Sequence, residues 1–168
     1  MQMKKISPCL WFADDAEQAV GFYTGLFKDS RIIGVTYYSE VGFDMHHRPA
    51  GSVMSIIFQL EGQTFTALNG GPLFTFTEAV SLQIYCKTQA EIDHYWNALT
   101  EGGDPAAQQC GWLKDKYGVS WQVLPELLSE MINYNDARTT DRVMAAMMDM
   151  KKLDMDTLQQ AIDGGAAG

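Results

Sequence analysis

The sequence predicts an α+β fold in which two β-α-β-β-β modules are followed by C-terminal helices. The first observation is that the predicted order of strand, helix and strands occurs twice, with a period of about eighty residues. The second is that both predicted helices carry one apolar face. The third is that only helical patterns follow Pro125. We therefore expect a domain over 1–135, made of modules at about 1–75 and 76–135, and a helical tail over 136–168.

The first module begins with an apolar strand, Ile6 to Phe12. Asp15 and Gln18 then have the spacing of a capping box, and the helix that follows repeats apolar residues every three or four positions as far as Phe27. The other predicted strands are rich in β-branched and aromatic residues, and they span Arg31–Ser39, Val53–Leu60 and Gln63–Asn69, with a loop over Val41–Ser52 and a tight turn at Glu61-Gly62.

The second module repeats this order in a shorter form. Thr88 and Glu91 form a capping box for its helix, which Gly102-Gly103 ends. Asp104–Cys110 leaves little room for the first strand after that helix. The strands are predicted over Val80–Cys86, Gly111–Lys114 and Val119–Leu124, and the tail helices over Glu126–Tyr134, Asp141–Lys152 and Asp154–Ile162.

Composition excludes several functional classes. The chain has 168 residues, of which 46% are apolar, and a formal net charge of −9. This charge argues against nucleic acid and anionic membranes as partners, because both bind basic surfaces. No segment approaches the ~20 apolar residues of a membrane span, and the start of the chain is not a secretory signal. Three cysteines without a paired spacing, Cys9, Cys86 and Cys110, favour a reduced, cytoplasmic location.

Two predicted strands of the second module have one apolar and one mixed face. The mixed faces carry Ser81, Gln83 and Tyr85 on one strand, and Ser120, Gln122 and Leu124 on the other. The apolar faces should lie under a helix. Apolar walls with a few hydrogen-bonding groups are typical of a small-molecule pocket, and the alternative is a sheet face open to water.

Several motifs resemble a known superfamily. The segment Pro8–Phe12, followed by Ala19–Phe27, is similar to the first strand and helix of vicinal oxygen chelate proteins, which include glyoxalase I, bleomycin-resistance proteins and extradiol dioxygenases. Five further segments resemble its PhnB-like branch, whose members are often labelled demethylubiquinone methyltransferases: Leu68–Pro72, Phe74–Thr77, Val80–Leu82, Cys110–Asp115 and Gly118–Gln122. The resemblance covers nearly the whole chain. It implies two modules curled around one cavity, and a homodimer.

The resemblance also allows the metal site of the superfamily to be examined residue by residue. Metal-dependent relatives place His or Glu ligands at four inward strand positions, which align here with Pro8, Ala67, Ser81 and Gln122. Proline and alanine offer no side-chain ligand, and serine and glutamine are weak neutral ones. We therefore expect neither a metal nor another cofactor. Asp44, His46 and His47 lie in a predicted loop, and solvated histidines explain them better than a metal site.

The function expected from these observations is metal-free binding of a small organic molecule. Three neutral amides would orient an uncharged polar or aromatic ligand, and aromatic side chains would enclose it. The predicted lining comprises Leu10, Phe12, Phe65, Asn69, Ser81, Gln83, Tyr85, Gln122 and Leu124.

Two alternatives stay open. One is an enzyme, a transferase or isomerase, acting on such a ligand; Tyr85 is then the only titratable group in the lining. The sequence has no glycine-rich strand-to-helix turn for a nucleotide. The other is a dimeric interaction protein with a closed cavity. The methionine-rich tail fits either a binding surface or a helix packed onto the body or onto a partner subunit.

Overall fold

The computed structural model describes residues 5–130 and 136–164, and it divides into two compact units between Phe76 and Thr77. Each unit contains one small mixed sheet with helices against it. The predicted α+β class is confirmed. No helix within the described residues is long and apolar enough to cross a membrane.

The first unit is a four-stranded sheet with order β1-β4-β3-β2, in which β1 and β4 are parallel and the other pairs antiparallel. Its elements are β1 (Cys9–Phe12), α1 (Ala16–Leu26), β2 (Arg31–Tyr37), α2 (Phe43–His46), β3 (Val53–Leu60) and β4 (Gln63–Asn69). The β3–β4 hairpin has the predicted bounds. Its two turn residues, Glu61 and Gly62, have φ angles of 44° and 77°, as a type I′ turn requires.

The start of α1 differs from the expected capping box. Asp15 makes no side-chain cap hydrogen bond. The first helical N–H, that of Ala16, donates instead to Asn69 Oδ1 at 3.0 Å, although Asn69 ends β4. Asn69 Nδ2 also donates to Glu17 Oε2 at 2.6 Å and to the Val53 carbonyl at 3.1 Å. One buried amide therefore joins α1 to β4 and β3.

The core of the first unit lies between α1 and one face of the sheet. From the helix, Ala16, Ala19, Val20 and Tyr23 are buried. The sheet contributes buried side chains that share one face through the strand register: Leu10, Phe12, Ile56, Phe58, Phe65 and Ala67. This apolar layer accounts for the packing of α1, since burial of apolar surface is the main force that holds a helix on a sheet.

The second unit is a three-stranded sheet with order β5-β7-β6, in which β5 and β7 are parallel and β6 and β7 antiparallel. Its elements are β5 (Leu82–Cys86), α3 (Gln89–Thr100), β6 (Trp112–Lys114), β7 (Ser120–Pro125), α4 (Leu127–Glu130), α5 (Ala137–Met148) and α6 (Met155–Asp163). The second module is shorter than the first, and a 3-10 turn, Pro105–Ala107, lies after α3 where the first module has a strand. The rest of the predicted helix Glu126–Tyr134 lies outside the described residues.

Helix α3 begins at the predicted threonine cap. Thr88 Oγ1 accepts from the Glu91 N–H at 3.2 Å, and Glu91 Oε2 accepts from the Lys87 N–H at 2.7 Å. The glutamate thus reaches one residue further back than in the standard capping box. The buried side chains of α3 cover the sheet, and they are Ile92, Trp96 and Leu99.

The tail packs onto the second unit itself. Leu124 of β7 forms a buried cluster with Val143, Leu153 and Leu158. The loop before β6 bonds to the segment between α5 and α6, because the N–H groups of Cys110 and Gly111 donate to the Met150 and Lys151 carbonyls, both at 2.8 Å. A hydrogen bond at 2.6 Å joins Lys152 to Asp93 of α3 and lowers the pKa of that carboxyl.

Replacing Asn69 tests its role at the centre of the first unit. We expect Asn69→Ala to lower the free energy of unfolding by about 2–4 kcal/mol, because it leaves buried hydrogen-bonding groups without partners. Urea unfolding measures the change. The matched control is Asn97→Ala on the exposed side of α3, which should change stability by less than about 0.5 kcal/mol. Equal effects of the two variants would contradict the central role of Asn69.

Candidate functional site

Five polar or aromatic side chains of β5, of β7 and of the residue before β5 lie on the face of the second sheet opposite α3, and we call this set the polar face: Ser81, Gln83, Tyr85, Ser120 and Gln122. Trp112 and Lys114 of β6 share this face of the sheet through the strand register. The strand register places Gln83 beside Gln122. The alternate residues Trp121 and Val123 are buried on the α3 side. The predicted division of these strands into an apolar and a mixed face therefore agrees with the structure.

A chain of hydrogen bonds runs along the polar face. Tyr85 Oη donates to Gln83 Oε1 at 3.0 Å, and Gln83 Nε2 donates to Gln122 Oε1 at 3.4 Å. Gln122 Nε2 then donates to Ser81 Oγ at 2.7 Å. The structure thus brings together four of the nine residues predicted to line the site. Their mutual bonds orient both amides, and side chains oriented in advance reduce the entropic cost of binding wherever a ligand is bound.

Ser120 is the residue of the polar face that the predicted lining omitted. It is only 2% exposed, and its hydroxyl has no hydrogen-bond partner within the described residues. A buried hydroxyl without a partner costs about 1–3 kcal/mol, so proteins seldom leave one. The sequence already indicated that Ser120 lies on this face, because it precedes Trp121 on β7 and Gln122 follows it.

The electrostatics of this region are close to neutral. The one charged side chain beside Ser120 in the strand register is Lys114, which forms an ion pair with Glu78. The hydrogen bond from Lys114 lowers the pKa of Glu78, so this carboxylate stays ionised and balances the lysine. The polar face itself contains no carboxylate and no histidine.

Leu124 is buried and does not offer an accessible apolar surface beside the polar face. It follows Gln122 on the same side of β7, but α5 and α6 cover it in the cluster with Val143, Leu153 and Leu158. The apolar residue at this position therefore marks the place where the tail packs. The sequence predicted Leu124 as part of the ligand lining, whereas in the structure the tail buries it.

The four predicted lining residues of the first unit lie on the α1 side of their sheet. Leu10 and Phe12 are buried in the layer beneath α1, and Phe65 belongs to the same layer. Asn69 is polar because it caps α1, and all its side-chain hydrogen bonds are made within the fold. The sequence predicted these four residues as part of a ligand lining; in the structure they form the core beneath α1 and the cap of that helix.

Trp11 and Phe74 meet in a different layer of the first unit. Trp11 alternates with Leu10 and Phe12, and its ring centroid lies 5.0 Å from that of Phe74 in an edge-to-face contact. The indole Nε1 donates to the Gly71 carbonyl at 2.9 Å. A Cβ atom at Gly70 would stand 2.3 Å from the indole ring, so glycine is required there.

The residues at the four metal positions of the superfamily do not fit a transition metal. Ala67 is fully buried beneath α1, so the β4 residues on the opposite face are Thr66 and Leu68. These are neutral, as are Ser81 and Gln122. Among residues 5–130 and 136–164, no three His, Cys, Asp or Glu side chains come together as a metal site. Neutral oxygen donors of this kind bind zinc, nickel or manganese poorly.

Cys9, Cys86 and His46 do not supply an evident nucleophile or base. Burial raises the pKa of Cys86 to about 12, with a further contribution from Glu91, and burial also raises the pKa of Cys9. His46 is used within its loop, where Nε2 donates to the Val41 carbonyl and Nδ1 accepts from the Arg48 N–H. The segment predicted as a solvated loop therefore contains a short helix, α2. The His46 imidazole bonds to the backbone before and after this helix.

The comparisons with known proteins agree with this architecture. Residues 4–124 match the family model described as 3-demethylubiquinone-9 3-methyltransferase. The PhnB protein from Bacillus cereus is 38% identical, covers 73% of this chain and 99% of its own, and superposes with a TM-score of 0.61. The fosfomycin resistance protein FosX from Mesorhizobium loti shares the fold at 15% identity, with coverage of 80% and 100% and a TM-score of 0.54. No curated protein matches the chain.

These similarities define the class of protein and then the family. The fold is the glyoxalase-like fold of the vicinal oxygen chelate superfamily, as the resemblance of the sequence implied. Within it, the chain belongs to the PhnB-like family, whose model carries the name 3-demethylubiquinone-9 3-methyltransferase.

Two neighbouring residues of β7 test the assignment of its faces. Trp121 is 2% exposed and donates from Nε1 to Asp115 Oδ2 at 2.8 Å, so Trp121→Ala should lower the free energy of unfolding by about 3–5 kcal/mol. Gln122→Ala should leave the fold intact, because its bonds are made on the opposite face. Thermal unfolding measures both. A tolerated Trp121→Ala together with an unfolded Gln122→Ala would mean that the faces are reversed.

Proposed function

We propose that the protein binds a small, uncharged organic molecule on the polar face of the second unit and does so without a resident metal. The observation that carries this proposal is the chain of hydrogen bonds from Tyr85 to Ser81, which presents two oriented amides and an aromatic ring on one surface. Neutral donors beside an aromatic side chain favour a polar or aromatic ligand over a phosphate.

The enzyme alternative, a transferase or isomerase, has less support. Proton transfer needs a group that titrates near neutral pH at the ligand, and the polar face offers only the phenol of Tyr85. A nucleotide-type methyl donor would need a glycine-rich turn between a strand and a helix. The turn between β1 and α1 is Ala13-Asp14-Asp15. The homodimer and the cytoplasmic location expected from the sequence stay predictions, as does the alternative of an interaction protein.

Native mass spectrometry of the purified protein tests the proposal directly. We expect a co-purifying molecule at one per chain in the wild-type protein. In Gln122→Ala its affinity should fall by a few-fold to about tenfold, because one oriented hydrogen bond is lost. Gln159→Ala, which removes an exposed amide from α6, is the matched control and should retain the molecule. Equal retention by both variants would contradict the assignment of the polar face.

The absence of a resident metal is tested separately. We expect elemental analysis to find no stoichiometric transition metal, and the melting temperature to be unchanged by a chelator. The physical reason is the set of neutral side chains at the four metal positions of the superfamily. One zinc, nickel or manganese ion per chain would overturn this part of the proposal.

A further inference from the structure

Asn69 and Gly70 form an Asn-Gly pair, and the structure requires each of the two residues for a different reason. Asn69 is required because its side-chain amide caps α1 and also bonds to β3. Gly70 is required because a Cβ atom there would stand 2.3 Å from the Trp11 indole. The chain has four asparagines, and Asn69 is the one that precedes a glycine. Two separate packing requirements therefore place this dipeptide at the end of β4.

An asparagine followed by glycine is chemically labile, because glycine has no side chain to keep its backbone nitrogen away from the asparagine side chain. In deamidation, the glycine nitrogen loses its proton and forms a bond to the asparagine Cγ, while the bond from Cγ to Nδ2 breaks. Nδ2 leaves as ammonia, which carries the proton that the glycine lost. Water then opens the resulting succinimide at either carbonyl, and the product is aspartate or isoaspartate. Water is thus the single co-reactant.

In the folded first unit, hydrogen bonds keep both reacting groups from this chemistry. Asn69 is 5% exposed, and both polar atoms of its side chain bond to other elements. The Gly70 N–H donates to the Phe12 carbonyl at 2.9 Å, so the proton that must leave is occupied. The peptide carbonyl between the two residues accepts from Tyr38 Oη at 2.7 Å. Ring closure therefore requires the end of β4 to leave its neighbours.

The products of deamidation cannot restore these contacts. An aspartate at position 69 still accepts from the Ala16 N–H, but it has no N–H to donate to Glu17 or to the Val53 carbonyl. Its charge would also lie within hydrogen-bond distance of the Glu17 carboxylate, and like charges at that distance repel each other. Isoaspartate adds one carbon to the backbone before Gly70, where the Trp11 indole leaves no spare room.

We infer that Asn69-Gly70 is a deamidation site that the folded first unit protects, and that deamidation of the unfolded chain prevents this unit from folding again. The same hydrogen bonds that make asparagine necessary at this position keep it from reacting. The site lies in the first unit and is independent of the ligand proposed for the polar face.

Peptide mapping by mass spectrometry measures deamidation of the full-length chain at mildly alkaline pH, in native buffer and in guanidinium chloride. We expect Asn69 to react at least about tenfold more slowly in native buffer, because the segment must first open. Asn97, which precedes alanine on α3, is the internal control and should react more slowly than Asn69 in denaturant. Equal rates for Asn69 in the two solutions, or for the two asparagines in denaturant, would show that the inference is wrong.

Glu17 tests whether the hydrogen bonds provide the protection. Glu17→Ala removes an acceptor of the Asn69 amide and should speed deamidation in native buffer about three- to tenfold. Glu17→Gln keeps an acceptor oxygen and should retain most of the protection. Gln18→Ala, at the neighbouring exposed position of α1, is the matched control and should react as the wild type does. An unchanged rate in Glu17→Ala would contradict protection by these bonds.

Refolding tests the second part of the inference. Chains kept in guanidinium chloride until part of Asn69 has reacted are diluted into native buffer and treated briefly with a protease. We expect the deamidated peptide in the digested fraction and the unreacted peptide in the resistant fraction, since the unreacted amide alone restores all the contacts of the α1 cap. Asn69→Asp, which installs one product directly, should lower the melting temperature. Equal protease resistance of the two forms, or an unchanged melting temperature, would overturn this part.

Discussion

The first unit depends on one buried amide, that of Asn69. Its oxygen receives the first N–H of α1, and its nitrogen bonds to Glu17 and to the carbonyl at the start of β3. A helix end leaves its first N–H groups without internal partners, so a cap supplied from a strand fixes where the helix begins relative to the sheet. The position of α1 along the sheet is then fixed, and its apolar residues pack over Leu10 and Phe12.

In the second unit, the carboxylate of Asp115 has a comparable role in positioning structural elements. Asp115 Oδ1 accepts from the Tyr117 and Val119 N–H groups, and its Oδ2 accepts from the Trp121 indole. The same side chain thus shapes the β6–β7 turn and fixes the large side chain on the α3 face. Because Trp121 is held on that side, its neighbours Ser120 and Gln122 must point the other way. The polar face is in this sense a consequence of how the turn is built.

Local signals account for what the sequence predicted well. The β3–β4 hairpin and the Thr88 cap depend on residues within a few positions of each other, and both lie where they were expected. The cap of α1 could not be found in this way, since Ala16 and Asn69 are 53 residues apart. The faces of β1 were also ambiguous, because Leu10 and Phe12 alternate with Trp11, which is equally apolar. In β7 the contrast between Trp121 and Gln122 removed that ambiguity.

The tail determines how much of this chain is needed to complete the second unit. The family model ends at residue 124, before the helices that cover Leu124. Yet the shared part is adapted to them: the backbone N–H groups of Cys110 and Gly111 bond to the Met150 and Lys151 carbonyls, and a Cβ atom at Gly111 would stand 3.0 Å from Leu153. The segment that the family model matches and the tail that follows it are thus mutually dependent in this chain. Removing the residues after 124 would expose Leu124 and leave the N–H groups of Cys110 and Gly111 without their present acceptors.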